Sequence, residues 1–465
     1  MATITVSNAS ELSAALANYQ GETTILLEKG SYGALKYFNL GSKGAVTLKS
    51  ADPANKAVFE DLQFHNGTGI TLDGLAFQPQ QAPGEKFGGW GLGFYGSSSV
   101  KVANSTFSGE AGSLATVSGV RAKGSTGVVV ENNTFAHLQY GVQVTDSTNL
   151  KLLDNSLTGI RADAFQLSDA QGVEIARNFG TNFKSEPYAH PDFVQFFTTN
   201  TTQSSANINI HDNVFLQGSG SGVQGVFMGN EAGITYKDVT IANNLFYTSY
   251  WNGIAVHKAD GVVIDGNTLV NVPHNSGVYE EKPLVTNATW AMVKNVTNAQ
   301  VTDNIATQIR FESSTGTQSG NVLTAWDGRA GVPGYADVFA NATAGAAATI
   351  SDFTVKGAYT GRGANLSPLH NAGAQTGIAP SKPLIGKEPV QPAMPHRSDP
   401  SAPSRQKRTE FLPVTPPSLP ELRTIVGISP RPHPNPAPHS DNALLPLLDL
   451  LICWFAPNGS RSRVS

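Results

Sequence analysis

One short pattern recurs along this chain and constrains its fold more than any other feature. It is an alternating β-branched or apolar stretch, then Asn, then a small step and an apolar residue. The copies VVVENNTF, LKLLDNSL, VEIARNFG, INIHDNVF, VTIANNLF, VVIDGNTL and AQVTDNIA place Asn133, Asn155, Asn178, Asn213, Asn244, Asn267 and Asn304 at equivalent points. The closest copies lie 22 or 23 residues apart, and spacings of 35, 31 and 37 mark coils lengthened by a loop. Two earlier copies, ITLDGLAF and VKVANSTF, put Leu75 and Ser105 at that point.

Alternation with period two over four or five residues means strands, and so short a repeat leaves no room for a helix in each unit. A chain of strand, turn, strand, turn must coil on itself, each coil pairing in parallel with the next. The recurring Asn then sits at a tight turn, tolerates left-handed φ, and bonds its amide to the Asn above and below. The fold class that follows is all-β: a right-handed, single-stranded parallel β-helix, spanning residues 1–362. Its first coil needs a cap, and Asn8 to Tyr19 supplies a helix with Leu12, Ala15, Leu16 and Tyr19 on one side and a capping box of Asn8 and Glu11. The last clear coil is near Asn304, with weaker strands such as ATISDFTVKGAY continuing to about residue 362.

Residues 363–465 read differently. Most of the 27 prolines, several basic pairs and the single Cys fall after Pro380, and the Asn pattern is gone. This segment reads as a linker and a Pro-rich tail, disordered or aberrant in origin. The lone Cys453 excludes an intramolecular disulfide and a Cys-based metal cluster. The net charge of −4 offers no broad positive field, so nucleic acid is not an expected partner. The apolar run from Leu444 to Phe455 is broken by Pro446 and Asp449 and falls short of the ~20 residues of a membrane span. The start has neither a basic n-region nor an apolar h-region, so the expectation is an extracellular or cell-surface protein without a Sec signal peptide. Oligomeric state is not legible.

A second strand lies upstream of each ladder position. Alternation places Val120, Val142, Phe165, Val194, Val226 and Ile254 inside, with Ala122, Val144, Leu167, Phe196, Met228 and Val256. The other parity faces out. One outward column reads Gly93, Arg121, Gln143, Gln166, Gln195, Phe227 and Ala255; its neighbour reads Tyr95, Lys123, Thr145, Ser168, Phe197, Gly229 and His257. Amides can exchange hydrogen bonds with sugar hydroxyls, rings stack on sugar C–H surfaces, and cations neutralise uronate carboxylates. The bland alternative is a solvated amide ladder that only stabilises the sheet.

The sharpest local signal is the inserted segment KSEPYAHPDFVQFF, residues 184–197, which brings Tyr188, His190 and Asp192 to alternate positions before Gln195. Asp163 aligns with Asp192, each followed three residues later by Gln. Two carboxylates one coil apart repel, raising one pKa or recruiting a cation. Later coils add Asn230, Glu231 and His257. The bland reading is a loop His beside Pro and Asp residues that form turns.

Over roughly residues 1 to 360 the chain resembles the right-handed β-helix proteins of polysaccharide lyases and alginate C5-epimerases. HPDFVQFF and FMGNE look like motifs of bacterial β-helix modules found in type I secreted calcium-binding proteins, although no calcium-binding Gly/Asp nonapeptide array follows. Epimerases use a Tyr, Asp and His cluster, to which Tyr188, His190 and Asp192 are similar in type but not in order. Pectate lyases use Asp-ligated calcium with an Arg base, which Asp163, Asp192 and Arg121 resemble without matching in local sequence. The Gly-His-Gly segment of polygalacturonase-type hydrolases is absent.

The leading expectation is a lyase that cleaves an acidic, uronate-containing polysaccharide by β-elimination. The catalytic candidates are Tyr188, His190, Asp192, Arg121 and Lys123. Candidates for substrate binding are Tyr95, Gln143, Gln166, Gln195, Phe197, Asn230, Glu231 and His257, and calcium could sit on Asp163 and Asp192. A C5-epimerase, a glycoside hydrolase and a glycan-binding tailspike or adhesin module are the alternatives.

Overall fold

The structure is a computed structural model and describes residues 2–85, 88–112, 116–185, 190–272, 289–326, 328–341 and 344–373. Every pairing between its strands is parallel and joins one coil to the next, the single antiparallel bridge among the described residues, Phe339 to Val355, lying outside the strands. The coils therefore stack into the expected parallel β-helix with three strand faces. The front face runs through Trp90–Tyr95, Ser118–Lys123, the first half of Val142–Leu153, and on to Gln308–Glu312. A second face includes Ser98–Ala103, Thr126–Glu131 and Ala206–His211, and a third is built of short strands such as Thr134–Ala136 and Val214–Leu216.

The inward parity holds at all twelve positions read from the sequence, each of which is buried. Rings stack along the interior: Tyr32, Phe59, Phe77, Phe107 and Phe135 follow one another with centroids 4.5 to 5.9 Å apart. The Asn ladder is fully buried. Each Oδ1 accepts the main-chain and side-chain N–H groups of the Asn one coil earlier, as Asn178 does for Asn155 at 2.9 and 3.0 Å. Asn321 extends the ladder by a coil beyond Asn304. The left-handed residue is not the ladder Asn itself but the one before it: Asn132, Asp154, Arg177, Asp212, Asn243 and Asp303 all have φ of 53° to 56°. The ladder side chain turns inward because its neighbour makes the turn. A serine ladder at another corner, Ser97, Ser125 and Ser147, had no counterpart in the repeat as read from sequence.

The capping helix spans Ala9–Asn18 and buries Leu12, Ala15 and Leu16. Asn8 accepts the Glu11 N–H at 3.0 Å, but Glu11 reaches back to Ser7 rather than to Asn8. Three further expectations need correcting. ATISDFTVKGAY forms 3₁₀ turns at Ile350–Phe353 and Gly357–Tyr359, not strands. The solenoid does not give way to a linker at residue 363, because the chain from Tyr335 to Gly373 folds back. There Tyr335, Val338, Phe339, Phe353 and Leu369 cover Val214, Leu216, Leu245, Tyr247 and Val270 of the third face. Gly373 itself bonds to Arg177 and Ser156. Finally, Gly93, Ala255, Ser168 and Gly229, assigned to outward columns, are buried, because these small residues lie beneath larger neighbours on the face, as Gly93 does under Tyr95 and Gly229 under Glu231. The Pro-rich tail lies outside the described residues. No helix among those described is long and apolar enough to cross a membrane.

Candidate functional site

Register across the front face aligns Arg121, Gln143, Gln166, Gln195, Phe227 and Ala255, then Met292 and Arg310. The three glutamines form one run: Gln143 Nε2 donates to Gln166 Oε1, and Gln166 Nε2 donates to Gln195 Oε1 at 2.8 Å. Part of their capacity is therefore structural, as the bland reading held. The run nevertheless ends in a donor, Gln195 Nε2, that has no hydrogen-bond partner among the described residues.

Asp163 and Asp192, three residues ahead of Gln166 and Gln195, are 3% and 0% exposed. Asp163 Oδ1 accepts the Asp192 main-chain N–H at 2.9 Å, and Oδ2 accepts Gln166 Nε2 at 2.9 Å. Asp192 Oδ2 lies 3.1 Å from His190 Nδ1, whereas its Oδ1 is buried with no partner among the described residues. Burial pushes both carboxyls above their ordinary range. Asp163 is pushed well above it, because the Asp192 charge adds to burial.

His190 is the hub of the site. Its side chain is 49% exposed and leans on the fully buried Asp192. The Gln224 amide nitrogen contacts both ring nitrogens, Nε2 and, at 3.0 Å, Nδ1, and the imidazole meets Phe227 and Tyr250 edge-on, with centroids at 5.0 and 6.5 Å. Gln224 accepts in turn from Asn252, whose Oδ1 accepts Trp290 Nε1 at 2.5 Å. Asp192, Gln224, Asn252 and Trp290 thus form a polar column at the mouths of successive strands. Reading three residues upstream of the Gln column in every coil, not only in two, would have found Gln224 and Asn252 but not Trp290, which lies two residues before Met292 where the register slips. Burial chiefly, with a contribution from the Asp192 charge, pushes the Tyr250 phenol up to about 12, so it keeps its proton at neutral pH. Tyr250 was missed because it lies in a turn without periodicity.

Other expected residues are placed apart. Tyr188 lies outside the described residues. Arg121 rests 5.3 Å over the Trp90 ring, and Lys123 is exposed beside Tyr95. Both precede the His190 coil by three inter-strand steps, about 14 Å, so they cannot touch the sugar that His190 touches. Tyr95 stacks on His65 at 4.7 Å, and burial raises its phenol pKa. Phe197 follows the Gln195 strand, with its N–H on Leu167 O at 3.1 Å. Asn230 donates to Ile234 O and Glu231 accepts the Thr198 N–H at 2.8 Å, so both close the turn after Met228. His257 meets Phe227 edge-on at 5.4 Å, and burial lowers its pKa.

Calcium takes six to eight oxygen ligands. Three of the four oxygens of Asp163 and Asp192 already face donors within the protein, and among the described residues no three His, Cys, Asp or Glu side chains converge as a metal group. The pair does not fit a calcium ion.

Residues 3–179 match the family described as the right handed beta helix region. Among solved structures, a mannuronic acid specific polysaccharide family 6 lyase from human gut microbiota is 15% identical, with 70% of this chain and 80% of that one covered and a TM-score of 0.41. A family 6 polysaccharide lyase from Pseudopedobacter saltans is 13% identical over 71% and 95%, with a TM-score of 0.39. The family 28 exopolygalacturonase of Yersinia enterocolitica is 10% identical over 69% and 78%, with a TM-score of 0.38. No curated protein matches the chain.

Proposed function

We propose that this β-helix is a carbohydrate-active enzyme, a lyase that cleaves an acidic polysaccharide by β-elimination on its front face. One observation carries the reading: a fully buried carboxylate, Asp192, holds a half-exposed imidazole, His190, edge-on to the protonated Tyr250 phenol, on the coil whose Gln195 offers an open donor. A carboxylate beside Nδ1 orients the ring, whose Nε2 faces the Gln224 amide, and stabilises the imidazolium formed when the ring takes a proton.

His190 removes the C5 proton of a uronate, the C4–O4 bond breaks as the C4=C5 double bond forms, and Tyr250 protonates the departing O4. Gln195 donates to the carboxylate or ring hydroxyls during this step. If a proton is instead returned to C5 from the opposite side, the product is the C5 epimer. Hydrolysis by Asp163 and Asp192 is disfavoured, because both are buried on adjacent coils and joined through a main-chain hydrogen bond, without room for a sugar between them.

The test is to incubate the protein and its His190→Ala variant with a panel of uronate polymers, following absorbance of the unsaturated product together with new reducing ends. Both signals from wild type, absent in the variant, are expected. New ends without absorbance mean a hydrolase, exchange of the C5 proton without new ends means an epimerase, and binding with none of these means a non-catalytic glycan module. Secretion and an extracellular site of action fit such a substrate and are part of the same proposal.

A further inference from the structure

Beyond His190 the face does not revert to plain surface. His190 meets Tyr250, Tyr250 meets Trp251 at 5.6 Å, and Trp251 stacks on Trp290 at 6.3 Å with planes only 4° apart. Arg310 then lies 4.4 Å over Trp290. These residues come from four different coils, so the track runs along the axis toward the C-terminal end. Trp251 is 40% exposed, one of only three large apolar side chains exposed among the described residues. Its partner Trp290 is fixed by the hydrogen bond to Asn252. Two cations border the track, Arg310 and Lys294, and they share a single carboxylate, Glu312. Among the described residues, one positive charge of this trio is left over.

We propose that Trp251, Trp290 and Arg310 form a remote subsite that holds a second acidic sugar of the polymer whose reacting uronate lies at His190. An indole presents an apolar surface to the C–H groups of a pyranose, while the excess cation takes that sugar's carboxylate. Arg310 stands four inter-strand steps past the His190 coil, about 19 Å, so a disaccharide at His190 cannot reach it and a hexasaccharide can. The subsite favours long acidic chains and sets their direction across the face. It rests on the proposed polysaccharide substrate, and the experiment separates the two claims.

In the full-length His190→Ala protein, which binds without turnover, tryptophan emission and calorimetry are followed on titration with an acidic hexasaccharide, an acidic disaccharide and a neutral hexasaccharide. The acidic hexasaccharide is expected to bind more tightly than the other two and to quench emission. Trp251→Ala should weaken it about tenfold, equivalent to ~1.4 kcal/mol, and Arg310→Gln should do so for the acidic hexasaccharide but not the neutral one. Glu312→Gln, which frees both cations, should tighten it. Disaccharide affinity should not move. If the hexasaccharide binds but Trp251→Ala and Arg310→Gln stay within twofold of the parent, the subsite is wrong and the substrate reading stands. If no acidic oligomer binds, both fall.

Discussion

Replacing Asn178 by Ala tests whether the ladder holds the coils together or merely decorates a turn. The side chain is fully buried, and its Oδ1 is the acceptor for the Asn155 main-chain N–H at 2.9 Å. Its Nδ2 donates to Leu152 O and to Asn213 Oδ1, each at 2.9 Å. Truncation leaves the Asn155 N–H without a partner and removes a donor from Leu152 O, whereas Asn155 Nδ2 keeps Val130 O and Asn213 Oδ1 keeps the Asn178 main-chain N–H. A buried polar group left unsatisfied costs ~1–3 kcal/mol. With two groups affected, the expected loss is about 2–5 kcal/mol, read as a fall in the urea midpoint at unchanged slope. Gln143→Ala removes a half-exposed amide from the same solenoid and should stay within ~0.5 kcal/mol. A loss below about 1 kcal/mol for Asn178→Ala, or equal losses for the two variants, would refute the argument that the amide column satisfies the turn's main chain.

Ala at His190 or Phe at Tyr250 should each lower turnover by ~10²–10⁴-fold while polymer binding survives, the scale for general acid–base groups, measured by product absorbance and by calorimetry. Asp192→Asn should do the same through loss of the orienting charge; unchanged turnover in all three would move the chemistry off this coil. Asp163 has a folded pKa well above its unfolded value near ~3.9, so the folded state binds the extra proton and stability falls as pH rises from about 4 through the folded value. Asp163→Asn should flatten that fall in melting temperature against pH, and an unaltered profile would exclude Asp163 as its source. Truncation after Pro380 should leave the melting temperature unchanged, whereas truncation after Leu323 uncovers Val214, Leu245, Tyr247 and Val270 and should lower it sharply.

The sequence by itself determined the coil. Alternation marks which side chains go inside, and the spacing of Asn133, Asn155 and Asn178 sets the length of a turn, because both are local properties of a chain with period two. It also marked His190, Asp192 and the Gln column, since a solenoid turns equal sequence offsets into neighbours in space. What it could not show was anything that depends on the distance between coils or on chain returning from elsewhere. Arg121 and Lys123 belong to the right face but sit three coils from His190, and only counting the stacked strands reveals the gap. Tyr250, Trp251 and Trp290 lie where loops of unequal length meet, so no offset predicts that they converge. The segment from Tyr335 to Gly373 has no repeat, and its burial is decided by the apolar outer surface of the third face that it covers. The raised pKa of Asp163 was likewise decided by tertiary structure, because desolvation and like charge act only once Asp192 is packed one coil away.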